Sequence, residues 1–100
     1  MSIFTKRLKE ARKEAGVSQE WLGILAGIDE MSASARMNQY ERGKHEPEFS
    51  MVERIAYVLR VPESYFFEKD DDIAWLIKSL HRADESSRKA VIEYARSMLS

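Results

Sequence analysis

Polar and charged side chains surround a glycine, Gly43, in the segment MNQYERGKHEP. Met37 and Tyr40 lie three residues apart, as they would on the buried face of a helix, and glycine commonly follows a helix end. Arg42 and Lys44 flank that glycine, and their side chains are donors of the kind that bind phosphate oxygens. The segment therefore predicts a helix that ends among donors for an anionic partner.

The opposite face of this predicted helix carries small and amide side chains instead of large apolar ones. Its residues are Ser32, Ala35, Gln39 and Arg42, with Arg36 and Asn38 flanking them. Such a face is open to hydrogen bonding with a ligand, and Ser32 is the expected N-cap. The plain alternatives are a solvated helix face and, for Arg42 and Lys44, charges that favour the helix C-terminus.

Several amphipathic helices must position this segment. The sequence predicts a first helix ending at Gly16 and a second running from Ser18 to Gly27, followed after Pro47 by a fourth helix and by a short apolar helix over residues 61–67. The expected inward residues are Phe4, Leu8, Ala11 and Ala15 on the first helix, Trp21, Leu22, Leu25 and Ala26 on the second, and Phe49, Val52, Ile55, Ala56 and Leu59 on the fourth.

Two short helices that meet at Gly27, with a small residue at Gly23 where they cross, make a helix-turn-helix. The second of these helices has the right width for the major groove of DNA. Its C-terminal end would then lie beside the phosphate backbone. Arg42, Lys44 and free backbone amides of the turn are the expected phosphate donors.

The chain also resembles the Cro/phage-repressor, or Xre-type, helix-turn-helix family over about residues 4–67. The motifs that carry the resemblance are Ser18-Gln19, Leu22-Gly23, Ala26-Gly27-Ile28, Glu41-Arg42-Gly43-Lys44, Pro47, Ile55-Ala56, Leu59 and Val61-Pro62. The resemblance implies an all-α fold, a five-helix lambda-repressor-like domain with two additional C-terminal helices. Residues 28–40 make a longer insert than the family pattern has, and we place the extra residues before Ser34, in the turn or at the front of the third helix.

The resemblance also implies roles for individual residues. Those expected to contact DNA bases are Ser34, Ala35, Arg36, Asn38 and Gln39, and those expected to contact phosphates are Gln19, Arg42 and Lys44. Gln39 suits adenine, Arg36 suits guanine and Ala35 suits a thymine methyl group. Arg12 and Glu41 are expected to form a partly buried ion pair that ties the first helix to the third.

Three consecutive carboxylates, Asp70 to Asp72, predict either a linker or a helix start. We therefore divide the chain into a DNA-binding domain, residues 1–69, and a helical extension, residues 70–100. The two helices predicted in the extension carry more apolar surface than they can bury between themselves. That surface predicts packing on the first domain, a homodimer, or a protein partner bound by residues 73–100, and the homodimer is preferred because it would read two half-sites.

Sixteen Lys and Arg against seventeen Asp and Glu give a net charge of −1, which excludes bulk attraction to a polyanion. A local basic surface is expected on the first helix, at Lys6, Arg7, Lys9, Arg12 and Lys13. The absence of cysteine excludes disulfides and thiolate metal sites and fits a cytoplasmic protein. No membrane span, cofactor, metal site or catalytic arrangement is predicted, and the lone His45 and His81 are expected to be solvated.

These patterns favour a transcriptional regulator, a repressor that occupies a double-stranded DNA operator. The alternative is a helix-turn-helix protein-interaction module, such as an antitoxin or a co-regulator, that grips a protein partner with its C-terminal helices. Salt separates the two, because phosphate contacts release counterions and weaken as salt rises.

Overall fold

Six α-helices and one short 3-10 helix make up the regular structure of the protein, in a computed structural model that describes residues 2–100. They are α1 (Ile3–Ala15), α2 (Gln19–Leu25), α3 (Glu30–Glu41), α4 (Phe49–Leu59), the 3-10 helix (Glu63–Phe67), α5 (Asp71–Arg82) and α6 (Glu85–Leu99). Residues 2–100 contain no β-strand, so the prediction of an all-α fold is confirmed. None of these helices is both long enough and apolar enough to cross a membrane.

The ends of the first two helices follow the local signals in the sequence. Gly16 ends α1 with a φ of 72°, in the left-handed region that suits glycine, and Ser18 caps α2 by accepting a hydrogen bond from the Trp21 amide at 2.9 Å. Gly43 follows α3 with a φ of 73°. The predicted helix boundaries at these three residues are confirmed.

The start of α3 differs from the prediction. Asp29, not Ser32, is the N-cap, and its carboxylate accepts a hydrogen bond from the Met31 amide at 3.0 Å. Ser32 lies inside the helix, on its exposed side. The extra residues of the insert therefore lengthen the front of α3, because Asp29 offers a cap as good as serine three residues earlier.

The core lies where α1, α2, α3, α4 and the 3-10 helix meet. Its largest fully buried side chains are Phe66, Leu8, Leu22, Met37, Ile55, Leu59 and Val61. The prediction was wrong for Trp21 and Leu25, which are 52% and 48% exposed. Helix α2 has only two turns and buries the narrow stripe of Leu22 and Gly23, so positions 21 and 25 fall on a neighbouring face.

Two further residues that were expected in the core lie at the surface. Phe49 is 61% exposed because it is the first residue of α4 and borders an open groove instead of facing the core. Ala15 is exposed at the last turn of α1, where the helix extends past the packed elements.

The N-terminal end of helix α5 is held by contacts with α1. Asp70 caps α5 and accepts hydrogen bonds from the amides of Asp72 and Ile73, so the acidic run is a helix start and not a linker. Arg7 is buried and donates to the Glu68 carbonyl at 2.9 Å, and it forms an ion pair with Asp71 at 2.9 Å. Helix α1 thus contacts residues on both sides of the boundary that we placed between residues 69 and 70.

A second tie holds the far end of α5. Glu14 of α1 accepts hydrogen bonds from Lys78 and Arg82, each at 2.8 Å. Arg82 also donates to the carbonyls of Leu59 and Arg60, at 3.0 and 2.9 Å, where α4 ends. The hydrogen bonds from Arg82 and then from Lys78 lower the pKa of Glu14 below its ordinary value of 4.5.

Within residues 2–100, helix α6 makes no ion pair of this kind. It buries none of its residues, whereas α5 buries Ala74. The radius of gyration, 15.0 Å, exceeds the roughly 13 Å that a compact chain of this length has, and the longest dimension is 50 Å. The excess length fits a terminal helix that projects from the body.

We expect Glu14→Gln to lower the stability of the protein at neutral pH by about 0.5–1 kcal/mol, because the carboxylate is part-exposed and its pairs are screened. The lowered pKa of Glu14 means that its contribution is complete above 4.5 and is lost as the pH falls through the lowered value. Melting temperatures of the variant and the parent should therefore converge between about pH 5 and about pH 3. Glu53→Gln is the matched control, because Glu53 is exposed and forms no ion pair among the residues described. An undiminished difference at the acid end would contradict this role of Glu14.

Candidate nucleic-acid interface

The turn between α2 and α3 is built by a glycine and closed by an arginine. Gly27 has a φ of 91°, which a side chain would strain, and the Ile28 amide donates to the Gly23 carbonyl at 2.9 Å. Arg54 of α4 donates from Nε to the Ala26 carbonyl at 2.8 Å and so satisfies the C-terminal end of α2. Sequence reasoning missed Arg54, because the carbonyl that it binds lies 28 residues away.

Helices α2 and α3 approach each other most closely at Gly23. A Cβ atom placed on Gly23 would lie 2.8 Å from the Cβ of Ala33 and 3.0 Å from its carbonyl oxygen. Real Cβ atoms essentially never come within 3.0 Å of a heavy atom outside their own residue and its chain neighbours. Only glycine therefore allows this crossing, as the sequence predicted.

The crossing decides which side of α3 faces out. Met37 and Tyr40 are buried, as predicted, and Ala33 is buried with them. The residues expected to contact bases lie on the other sides of the helix: Ser34, Ala35 and Arg36 are exposed, and Asn38 and Gln39 are half-buried. All five side chains are thus on the accessible surface of α3.

A hydrogen-bonded network joins α1, α2 and α3 below this surface. Arg12 pairs with Glu41 through Nε, and its Nη2 donates to the other carboxylate oxygen at 3.2 Å. Arg12 Nη1 donates to the Val17 carbonyl at 3.0 Å. Glu41 is buried, so the pair is shielded from solvent screening.

The network reaches the surface at Gln19. Its side-chain amide donates to Glu41 Oε1 at 3.2 Å and to Asn38 Oδ1 at 3.3 Å. Gln19 and Asn38 are therefore oriented by each other and by the ion pair, a link that the sequence did not predict. The sequence does contain both amide side chains, one at the start of α2 and one on α3. Whether they come within hydrogen-bonding distance depends on the angle at which the two helices cross.

The turn after α3 does not offer free amides, contrary to our expectation. The amides of Arg42 and Gly43 donate to the carbonyls of Asn38 and Tyr40, and those of Lys44 and His45 both donate to the Gln39 carbonyl. These bonds satisfy the last carbonyls of the helix, which outweighs keeping the donors open. The donors that this turn leaves open are therefore the side chains of Arg42 and Lys44, which are exposed and form no ion pair within residues 2–100.

A shallow polar depression of about 490 Å³ lies beside Arg36 and Gln39. Its wall also includes His45 from the turn and Ser50 and Arg54 from α4. Sequence reasoning left Ser50 out, because α4 was considered only for its apolar side. The depression brings two elements next to α3 as one hydrogen-bonding surface.

The basic surface predicted on α1 is smaller than expected. Arg7 is buried against Glu10 and Asp71, and Arg12 is used by Glu41. Lys6 pairs with Asp71 at 3.3 Å, which leaves Lys9 and Lys13 without ion pairs among the residues described. Asp71, the carboxylate that Arg7 and Lys6 share, belongs to α5 and could not be predicted from the spacing of residues on α1 alone.

Comparisons with known proteins agree with this geometry. A family model described as a helix-turn-helix domain matches residues 3–64. Among solved structures, the crystal structure of transcriptional regulator BswR is similar with a TM-score of 0.87 and 42% sequence identity, over 97% of this chain and 94% of that one. No curated protein matches the chain.

We expect Gly23→Ala to destabilise the fold by about 1–3 kcal/mol, because the new methyl group overlaps Ala33. Alanine alone would favour the helix by about 1 kcal/mol, so a loss of stability isolates the steric effect. Chemical denaturation measures it. Adding Ala33→Gly removes the shortest contact. The double variant should therefore lose less stability than Gly23→Ala and Ala33→Gly lose when their separate losses are added. A Gly23→Ala variant as stable as the parent would contradict the close crossing.

Glu41→Ala should cost about 3–5 kcal/mol, because Arg12 is left largely buried without its partner. Thermal melts should show a large drop in melting temperature for this variant and a small one for Glu53→Ala, at an exposed position. The Arg12→Ala, Glu41→Ala double variant should lose less than the two single losses added together. If Glu41→Ala has the melting temperature of the parent, the ion pair does not hold α3 in place.

Proposed function

Because the chain belongs to the helix-turn-helix family, we propose that it is a transcriptional regulator that binds double-stranded DNA and reads an operator with α3. The observation that carries the proposal is the accessible polar face of α3, whose opposite face is fixed by Ala33, Met37 and Tyr40. The similarity to a structure described as a transcriptional regulator supports the same conclusion.

Base recognition is assigned to Ser34, Ala35, Arg36, Asn38 and Gln39. Arg36 has the fork of donors that suits guanine, and Gln39 can both donate to and accept from adenine. Both line the polar depression next to α3, where their side chains are accessible. Asn38 already accepts from Gln19, so its own amide donors are the part that it can turn to a base.

Phosphate contacts are assigned to Gln19, Arg42 and Lys44. Arg42 and Lys44 lie just past the end of α3 with exposed side chains. Gln19 lies at the start of α2, and it would exchange one of its hydrogen bonds within the protein for a phosphate oxygen. These contacts carry no sequence information. Their role is to fix the register and orientation in which the base-reading side chains meet the DNA.

We also propose that the protein acts as a homodimer, through apolar surface that α5 and α6 leave exposed. A chain without an overall positive charge gains little from non-specific attraction, so a second copy on a second half-site is the direct way to add contacts. Bound at a promoter, such a dimer would act as a repressor by occupying the site.

A protein-interaction module is the second candidate. The exposed apolar residues of α6 and the absence of net positive charge favour it. Its binding would resist salt, whereas binding to an operator would weaken steeply as salt rises.

Selection of binding sites from random duplex DNA, carried out with the parent and with Gln39→Ala, tests the proposal. The variant should lose about 1–3 kcal/mol of discrimination at one base pair and keep its preferences elsewhere. Lys44→Ala is the matched control, because losing a phosphate contact weakens all sequences alike and reduces the salt slope by about 1. If the parent selects no preferred sequence, the proposal is overturned. If Gln39→Ala keeps the parent's preference unchanged, the assignment of Gln39 to base recognition is overturned.

A further inference from the structure

An open groove of about 830 Å³ lies between the start of α1, the turn after α3, the start of α4 and the end of the 3-10 helix. We call it the α1–α4 groove. Its volume falls within the roughly 300–1,000 Å³ that is typical of small-molecule sites. Four elements therefore shape a concavity that has no part in the reading of bases by α3.

Aromatic side chains give the groove an apolar wall. Phe4 and Phe67 stack with their ring centroids 5.8 Å apart and an interplanar angle of 30°. Phe67 is 53% exposed, and Phe49 on the α4 side is 61% exposed. Large rings that remain open at a concavity suit a flat apolar ligand, because the ligand can stack on them and remove apolar surface from water.

Two cations without a carboxylate partner also line the groove. They are Lys9 of α1 and Arg42 of the turn, and neither forms an ion pair within residues 2–100. Of the two carboxylates at the groove, Glu41 is buried and bound by Arg12, whereas Glu46 is exposed. The two cations against Glu46 leave an excess of one positive charge that a ligand can meet.

The groove adjoins the polar depression beside the proposed base-reading face of α3. Tyr40, His45 and Glu46 line both concavities. Arg42 is the C-cap of α3 and lines the groove with the same side chain that is assigned above to a phosphate. A ligand in the groove therefore meets a guanidinium group that the DNA would also use.

We propose that the α1–α4 groove binds a small aromatic carboxylate and that this ligand weakens the binding of DNA. Its ring system would lie against Phe49 and the stacked pair of Phe4 and Phe67. Its carboxylate would pair with Arg42 and Lys9. Carboxylate and phosphate both bind the guanidinium fork, so the bound ligand takes Arg42 from the DNA backbone. The effect on DNA rests on the proposed function, whereas binding of the ligand does not.

Rings and charge together select this class of ligand. A neutral apolar molecule would leave Arg42 and Lys9 without a partner, and a free phosphate would gain nothing from the exposed rings. A protein segment that covers the rings is the rival occupant. It predicts that a small ring acid gains no affinity from its negative charge.

Calorimetry of the free, full-length protein tests the site with naphthoate and with naphthamide, its neutral counterpart. Naphthoate should bind with a Kd of about 1 mM or tighter, and naphthamide should bind about tenfold more weakly because it has no charge for the two cations. Phe49→Ala should weaken both ligands by about fivefold or more, through loss of ring contact. No binding of naphthoate to the parent, or equal binding of the two ligands, would overturn the inference.

Tyr57→Ala is the control for Phe49→Ala. Tyr57 lies on the same helix and is 86% exposed, but it lines a separate depression beside Arg60. This variant should keep the affinity of the parent for both ligands. If it loses that affinity and Phe49→Ala does not, the ligand lies in the wrong concavity and the inference is overturned.

Arg42→Gln tests the partner of the carboxylate. The preference for naphthoate over naphthamide should fall from about tenfold to about threefold, because Lys9 alone remains to meet the charge. Lys44→Gln is the matched control, since Lys44 is exposed in the same turn and does not line the groove. It should keep the full preference. An unchanged preference in Arg42→Gln would contradict the proposed pairing.

Amide NMR shifts of the parent locate the ligand without any substitution. Naphthoate should shift the amide signals of Gly43 and Phe67, which line the groove. It should leave those of α6 in place, although α6 offers the rival apolar surface. Shifts confined to α6 would overturn the inference.

Binding of the duplex selected by the parent tests the effect on DNA. Saturating naphthoate should lower the affinity for this duplex by about fivefold or more. It should reduce the salt slope by about 1 for each bound copy, as loss of one phosphate contact would. The duplex should weaken naphthoate by the same factor, because coupling between two sites is reciprocal. An affinity for DNA that saturating naphthoate leaves unchanged would refute this effect.

The two proposals fail in different ways. A protein that binds naphthoate in the groove yet binds no DNA would refute the regulator and leave the ligand site intact. A protein that selects a duplex but does not bind naphthoate would refute the ligand site and leave the regulator intact.

Discussion

The approach of α3 to Gly23 is the constraint on which the proposed interface depends. The backbones are so close there that even a methyl group would overlap Ala33, and this leaves α3 little freedom to rotate or slide. Met37 and Tyr40 are buried by the same approach, and the polar side chains follow to the outside. A requirement for the smallest residue at one position thus fixes the surface that a ligand can meet, in accordance with the dense packing of protein interiors.

The Arg12–Glu41 pair fixes the other end of α3. A buried ion pair adds little net stability over apolar packing, but it is demanding in geometry, so its effect is mainly on the position of the helix end. Gln19 uses the remaining capacity of the Glu41 carboxylate and carries the network to Asn38 at the surface. The interior and the proposed interface are therefore parts of one hydrogen-bonded unit, and a change in the position of α1 would be felt at the outer face of α3.

Local signals in the sequence were sufficient where one residue decides the conformation. Gly16 and the buried stripe of Met37 and Tyr40 were predicted for this reason, since a left-handed turn and helical spacing leave few alternatives. The start of α3 was not predicted correctly, because Asp29 and Ser32 both have good capping side chains and tertiary packing determines which of them is the N-cap. The burial of Arg7 escaped prediction since its acceptors, the carbonyls after the 3-10 helix, lie about sixty positions further along the chain. The accessibility of α3 was predictable, whereas the orientation of its amide side chains depended on the crossing angle.

The ion pairs between α5 and α1 fix the first part of the C-terminal extension to the helix-turn-helix region. Glu14 and Arg7 on α1 hold α5 at both ends, so α5 moves with the helices that carry the proposed interface and does not act as a tether. Helix α6 then leaves a fixed platform with its apolar face uncovered. The helix that is fixed to the proposed interface is therefore α5, whereas α6 buries no residue against the body.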